Sequence, residues 1–424
     1  MEYYEINGGQ RLAGQVVIHG AKNSVLPLLC ATALADGVSV LHNCPSLSDV
    51  EASIAILRHL GCRVTREGTT VTVDASCLSR SDVPDALMRE MRSSIIFLGA
   101  ILARTGEADV SMPGGCELGP RPIDLHLSAL RKLGAGIEQR GGRLRCTGGA
   151  ALRGAEITLT LPSVGATENI MLCACAAEGV TVIRNAAREP EIVDLARFLR
   201  AMGARIQGEG SSTVRIEGGR GTLRGCEHRV IGDRIVCATY LSAVACAGGE
   251  ASLIGAEPEQ LAAVTGVLRD AGAEILATGP NALTIRRDRP LEGGVVVRTS
   301  PYPGFPTDAQ PVVMAALCNA RRSSLFVETM FENRYRHVDE LRRMGADIRV
   351  EDRVAVVGGT ENGLRGAAVT AHDLRGGGAL CVAALGAEGS TILTGLSHIR
   401  RGYASLPEDL RSLGADIALH TDQN

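Results

Sequence analysis

With 424 residues, 45% of them hydrophobic and 21% charged, and a formal net charge of −3, the chain is long enough for two or more full cores. That charge balance gives nothing to attract a nucleic-acid backbone, and with no Trp, five Phe and six Tyr there is no base-stacking platform. No apolar run approaches the roughly 20 residues that span a bilayer, and the acidic start Met1-Glu2-Tyr3-Tyr4-Glu5 lacks the basic stretch of a signal peptide. A cytoplasmic protein without nucleic-acid or membrane partners is expected. The thirteen cysteines show no metal-ligand spacing. Cys173 and Cys175 make only a C-x-C with no histidine nearby, and Cys30, Cys237 and Cys381 sit in Ala/Val/Leu-rich stretches as small core residues. Reduced thiols are expected.

In chain order the sequence repeats itself. A phrase of the type L-R-x-x-G recurs at Leu57–Gly61, Leu130–Gly134, Leu199–Gly203, Leu268–Gly272, Leu341–Gly345 and Leu410–Gly414, its glycines 73, 69, 69, 73 and 69 residues apart. Each phrase reads as the end of an amphipathic helix, a glycine just past it, then a short strand such as Ala273-Glu274-Ile275-Leu276. Between these lies an alanine-rich helix ending in glycine and running into a β-rich segment, at Gly37, Gly106, Gly179, Gly248 and Gly389. In the fifth copy, Asn319-Ala320-Arg321-Arg322, the glycine is lost. The chain therefore consists of six related α/β units, each too small to bury itself alone.

Fourteen residues before these second landmarks stand Asn23, Arg92, Gly165, Arg234, Asp308 and Arg375, with Lys22, Ser163, Thr167, Asp233, Thr307 and Asp373 around them. Ser, Thr, Asn and Asp are ordinary N-caps. Arg and Lys are not, because a cation opposes the positive end of the helix dipole. Helix starts that carry cations are anion receptors, and if the helices of each half run the same way their N-termini converge. A second feature interrupts the repeats. The stretch Met112–Asp124 has three Pro and three Gly between Pro113 and Ile123, so it continues neither helix nor strand, yet it carries Cys116, Arg121 and Asp124. A glycine-rich loop with one thiol and a cation reads either as a mobile flap bringing a nucleophile or acid to an anion, or as an exposed turn.

These residues closely resemble the enolpyruvyl transferases. The motifs run nearly end to end, through Gly20-Ala21-Lys22-Asn23, Met91-Arg92-Ser93-Ser94, Pro113-Gly114-Gly115-Cys116 and Gly119-Pro120-Arg121-Pro122-Ile123-Asp124-Leu125-His126. They continue with Ser163-Val164-Gly165-Ala166-Thr167, Ala187-Arg188-Glu189-Pro190-Glu191, Phe305-Pro306-Thr307-Asp308, Phe331-Glu332-Asn333-Arg334 and Arg401-Gly402-Tyr403. The resemblance implies an inside-out α/β barrel of two domains with three repeated units each. Residues 22–230 would form the first, carrying the Cys116 flap, and residues 1–21 with 231–424 the second, with the active site in the cleft between them.

The implied reaction transfers the enolpyruvyl group of phosphoenolpyruvate to the 3′-hydroxyl of UDP-N-acetylglucosamine, the first committed step of peptidoglycan synthesis. The flap cysteine and the Arg121–Asp124 run argue against shikimate 3-phosphate as acceptor. Two further readings compete with this one: a non-catalytic paralogue that binds the nucleotide sugar, and a purely structural repeat array. By resemblance Cys116 is the acid at C3 and the site of covalent attachment, and it is open to alkylation by small anionic epoxides. Asp308 accepts the hydroxyl proton, and Lys22, Arg121 and Arg401 hold the donor's phosphate and carboxylate. Arg400 stands where the family often has an acid. Nucleotide-sugar contacts fall on Asn23, Arg92, Arg121, Pro122, Ile123, Asp124, Leu125, Leu161, Pro162, Ser163, Val164, Gly165, Asp308 and Met330. Asp373 and Arg375 match a pair near the donor, and His126 anchors a loop. No metal or organic cofactor is expected, since arginines and helix N-termini supply the charge.

Overall fold

The computed structural model describes residues 2–112, 123–219, 223–359 and 363–421. Contacts divide the chain into two units: Gly20–Ile231, and the residues up to His19 together with those from Gly232 onward. Each has its own apolar core, one built between Val25 and Val230, the other from Tyr4–Ile18 and Val236–Ile417.

Six helices form the cores: α1 (Lys22–Thr32), α2 (Phe97–Thr105), α3 (Val164–Ala174), α4 (Arg234–Ala247), α5 (Gln310–Leu317) and α6 (Leu374–Leu385). Their sequences have almost no polar stripe, and a helix that is apolar all round must be covered all round. Every residue of α5 is buried, as is every residue of α4 from Arg234 to Cys246. The more amphipathic helices, such as Pro190–Ala201, bury a single face.

Outside the helices the described residues form six four-stranded sheets, built alike. A short edge strand pairs parallel with a second, which pairs antiparallel with the third arm of a hairpin, whose fourth strand closes the other edge. In the fifth sheet these are Val296–Arg298, Ser324–Val327, Val354–Val357 and Ile348–Glu351. Alternating burial, as in Thr70–Asp74, puts one side chain in two onto the helices. The six landmark glycines, 61, 134, 203, 272, 345 and 414, all have φ between 82° and 110°, a conformation that side chains disfavour, which is why the phrase keeps them.

Two sheets borrow strands from the N-terminus. Leu12–Val17 is the parallel edge beside Gly249–Ile254, and Glu2–Asn7 lies antiparallel between Ser390–Thr394 and Asp416–Thr421. Likewise Glu227–Arg229 returns to pair with Val38–His42. Gly20 and Gly232 stand where the chain passes from one unit to the other. A Cβ at either would lie 1.8 Å from a carbonyl oxygen, of Asn43 and of Gly255 respectively, so neither tolerates a side chain. Among the described residues no helix is long and apolar enough to cross a membrane.

Candidate active site

In Gly20–Ile231 the C-terminal ends of three helices, marked by Leu34, Thr105–Gly106 and Cys175, line one cavity of about 390 Å³. The helices α1, α2 and α3 therefore run in the same sense, and their N-termini gather at the opposite end. In the other unit Asn319 donates to Gly386 O (2.9 Å) and to Cys246 Sγ (3.8 Å), tying together the C-terminal ends of α4, α5 and α6. Here too the N-termini cluster.

The first cluster carries Lys22 at the first position of α1, an unfavourable place for a cation. Asp49, in the first turn of the helix Ser48–His59, offsets this: its carboxylate lies 2.7 Å from Lys22 Nζ, with the side chains only 11% and 5% exposed. Asn23 is exposed beside it, and Ser24, one residue on, donates to the buried Asp194 at 2.5 Å. Asp194 also meets His228 Nε2 at 2.8 Å, fixing α1 to the strand Glu227–Arg229. Arg92 opens the 3-10 turn leading into α2 and is half-buried.

Ser163 caps α3, its hydroxyl accepting from Ala166 N at 3.3 Å. Val164 and Gly165 follow as the first helical residues, whose amides have no intrahelical acceptor. A Cβ on Gly165 would lie 3.2 Å from His126 Cε1. His126 itself is buried and bonded to Asn169 at 2.9 Å, and burial, aided by Arg92, lowers its pKa to about 4, with Asp124 opposing. It is a neutral packing residue that sets the floor under Gly165. Ile123 is buried, Asp124 is exposed at the start of the helix Asp124–Lys132, Leu125 and Pro162 are half-buried, and Leu161 is 54% exposed. Cys116, Arg121 and Pro122 lie outside the described residues.

Deeper in α3, burial pushes the Glu168 carboxyl up to about 8, with Glu191 and Glu189 adding repulsion. An acid whose folded pKa is raised binds more protons folded than unfolded between about 4.5 and 8. Stability therefore falls as pH rises through that window. Glu168→Gln is expected to raise the melting temperature above pH 8 and to leave it nearly unchanged below pH 4.5, as thermal melts across pH would record.

The second cluster centres on Asp308. It precedes Ala309, the residue that caps α5, so it is not itself the cap. One oxygen lies 3.0 Å from Arg334 Nη2 and the other 3.4 Å from Arg375 Nη2. Arg334 is 1% exposed and also donates twice to Thr307 O, at 3.2 and 2.9 Å. Burial opposes the charge of Arg375, but Asp308, Tyr403 and Asp233 together hold its pKa above the ordinary arginine value. Its guanidinium stacks over the Tyr403 ring at 5.9 Å. Asp373 and Asp233 cap α6 and α4, each accepting two backbone N–H bonds. So Asp373 acts on Asp308 through the helix that carries Arg375.

His337 is buried against the same group. Burial lowers its pKa and Arg334 adds to this, against Asp373, so it stays neutral. Glu328, 1% exposed, holds the turn before Met330: it accepts from Met330 N (2.7 Å), Phe331 N (3.1 Å) and the Thr307 hydroxyl (3.0 Å). Met330 projects from that turn, 38% exposed, and Arg401 is half-buried just beyond the short helix Leu396–Ile399. Arg400 pairs with Glu2 at 2.6 Å, so its charge is spent on the N-terminal strand.

A family profile described as "EPSP synthase (3-phosphoshikimate 1-carboxyvinyltransferase)" matches residues 6–410. The chain belongs to this family of enolpyruvyl transferases. Among its relatives, "UDP-N-acetylglucosamine 1-carboxyvinyltransferase 2" of Caldanaerobacter subterraneus subsp. tengcongensis is 52% identical over 98% of this chain and 99% of its own. "UDP-N-acetylglucosamine 1-carboxyvinyltransferase" of Shewanella amazonensis is 44% identical, again over 98% and 99%. Of solved structures, the enolpyruvyl transferase NikO from Streptomyces tendae superposes with a TM-score of 0.88 at 27% identity, over 100% of this chain and 99% of its own. An EPSP synthase from Acinetobacter baumannii shares the fold, with a TM-score of 0.78 at 20% identity over 99% and 100%.

In this enolpyruvyl transferase the helix starts named from sequence do gather, as one cluster in each unit. Three participants, Asp49, Glu168 and Glu328, give no sign of their role in the sequence, and Arg334, although it closes the Phe331–Arg334 motif, is given no role there. Asp49 reads as an ordinary first-turn acid, and Arg334 lies in a polar stretch, Glu332-Asn333-Arg334-Tyr335-Arg336, that gives no sign of burial.

Proposed function

We propose that the protein transfers the enolpyruvyl group of phosphoenolpyruvate to the 3′-hydroxyl of UDP-N-acetylglucosamine, releasing phosphate, in the cytoplasm and as the first committed step of peptidoglycan synthesis. The observation that carries this is the Asp308 carboxylate, held between two buried arginines yet 31% exposed, so that a hydroxyl arriving from solvent can reach it. Near full-length identity to 1-carboxyvinyltransferases supports UDP-N-acetylglucosamine as the acceptor.

Addition begins as the hydroxyl oxygen bonds to C2 of the donor while its proton passes to Asp308. C3 receives a proton, for which Cys116 is the proposed acid, and becomes a methyl group. Elimination reverses the proton movement at C3 as the C2–O bond to phosphate breaks, restoring the double bond. Lys22, Arg121 and Arg401 hold the donor's anionic groups, while Asn23, Arg92 and the start of α3 receive the nucleotide sugar. Arg334 and Arg375 hold the Asp308 carboxylate in position.

Phosphate release from phosphoenolpyruvate should depend on UDP-N-acetylglucosamine and not on shikimate 3-phosphate. With Cys116→Ala the rate should fall by about 10²–10⁴, the range for a lost general acid. Equal rates in parent and variant would take the thiol out of the reaction, and release driven by shikimate 3-phosphate would overturn the acceptor.

A further inference from the structure

The turn that carries Met330 is fixed from two sides. Thr329, just before it, gives its amide to the Thr299 hydroxyl (2.8 Å) and its own hydroxyl to Thr299 O (2.7 Å). Its carbonyl accepts from Arg353 Nη1 at 3.3 Å, and Arg353 Nη2 reaches Glu332 beyond Met330, also at 3.3 Å. Arg353 stands at the tip of the hairpin joining Ile348–Glu351 to Val354–Val357 in the fifth sheet. Its backbone carbonyl accepts from Glu328 N (2.8 Å) and the Tyr335 hydroxyl (3.2 Å). Those two bonds hold the tip to the turn whatever side chain stands at 353.

The same turn is tied to the base. Glu328 Oε1 accepts from Met330 N and Phe331 N, while Oε2 accepts from the Thr307 hydroxyl at 3.0 Å. Thr307 O in turn takes two bonds from Arg334, and the next residue is Asp308. A carboxylate 1% exposed with both oxygens engaged is a stiff link, because charge-assisted bonds strengthen away from water. One side chain therefore joins Met330, assigned to the nucleotide sugar, to the segment that presents Asp308. No side chain assigned to the donor takes part in the bonds just named.

We propose, resting on the function given above, that Glu328 and Arg353 are positioning residues for the acceptor. Arg353 sets where the nucleotide sugar sits, and Glu328 sets its hydroxyl against Asp308. The two roles give different kinetics, read on the full chain with both substrates varied. Arg353→Ala should raise KM for UDP-N-acetylglucosamine about three- to tenfold, the effect of one or two partly exposed bonds. Its turnover number and its KM for phosphoenolpyruvate should stay within about twofold of the parent. Arg353→Lys, which can still reach Thr329 O, should recover part of the loss. Glu328→Ala should also lower the turnover number, by about tenfold or more. Glu328→Gln, whose oxygen still accepts from both amides, should keep turnover within about threefold. A role in stability alone would lower the melting temperature and leave both KM values unchanged. Equal changes in the two KM values, or none in either, from a parent that is active with UDP-N-acetylglucosamine, would overturn the brace. A parent inactive with that acceptor would instead overturn the function, and the brace with it.

Discussion

Asp308→Asn should lower the turnover number by about 10²–10⁴ while the protein still folds, since the amide keeps the shape of the carboxylate and loses its basicity. The change also removes the charge facing Arg334 and Arg375. Breaking a fully buried pair costs about 3–5 kcal/mol, but Asp308 is partly solvated, and Arg334 keeps its two bonds to Thr307 O. A loss of about 1–3 kcal/mol, read from urea unfolding, is expected. The KM for phosphoenolpyruvate should move little compared with the turnover number, because Asp308 is assigned to the hydroxyl and not to the donor. A variant that turns over like the parent would remove Asp308 from the chemistry and leave it a structural counter-ion.

Lys22→Met is the second large effect, and it should appear in both stability and activity. Lys22 and Asp49 are 11% and 5% exposed and 2.7 Å apart, so removing the ammonium takes the counter-ion from a buried carboxylate at a cost of about 3–5 kcal/mol. Activity should fall at least about 10²-fold, since the lysine is assigned to the donor's anionic group. The two losses can be separated. Adding Asp49→Asn to Lys22→Met removes the buried negative charge and should recover most of the stability, with no recovery of turnover. Recovery of both together would show that Lys22 serves only to neutralise Asp49.

The repeat, the helix starts and the glycine turns were legible because each is local. An L-R-x-x-G phrase fixes a helix end and a left-handed residue within a few positions, and the six glycines take that conformation. What was not legible is set by partners far away in sequence. The parallel edge strands are as short as Asp82–Val83, and pairing makes them strands where pattern does not. Asp49 resembles any first-turn acid until Lys22, across a turn of the fold, is seen beside it. Arg334 carries the chemistry of a surface residue, and the carbonyl of Thr307, the carboxylate of Asp308 and the ring of Phe331 make its burial tolerable.

The borrowed strands have a consequence for how the polypeptide matures. Gly20–Ile231 is one continuous stretch and can consolidate while synthesis continues. The residues before it cannot, because Leu12–Val17 waits for Gly249–Ile254, and Glu2–Asn7 waits for Ser390–Thr394 and Asp416–Thr421. At about 5–20 residues per second, the earliest-made strands stay unsatisfied for on the order of a minute on the ribosome. That interval exposes a sticky ribbon to neighbouring nascent chains. A circular permutant that begins at Gly20 and joins the old ends would shorten it to the time needed for the last sheet.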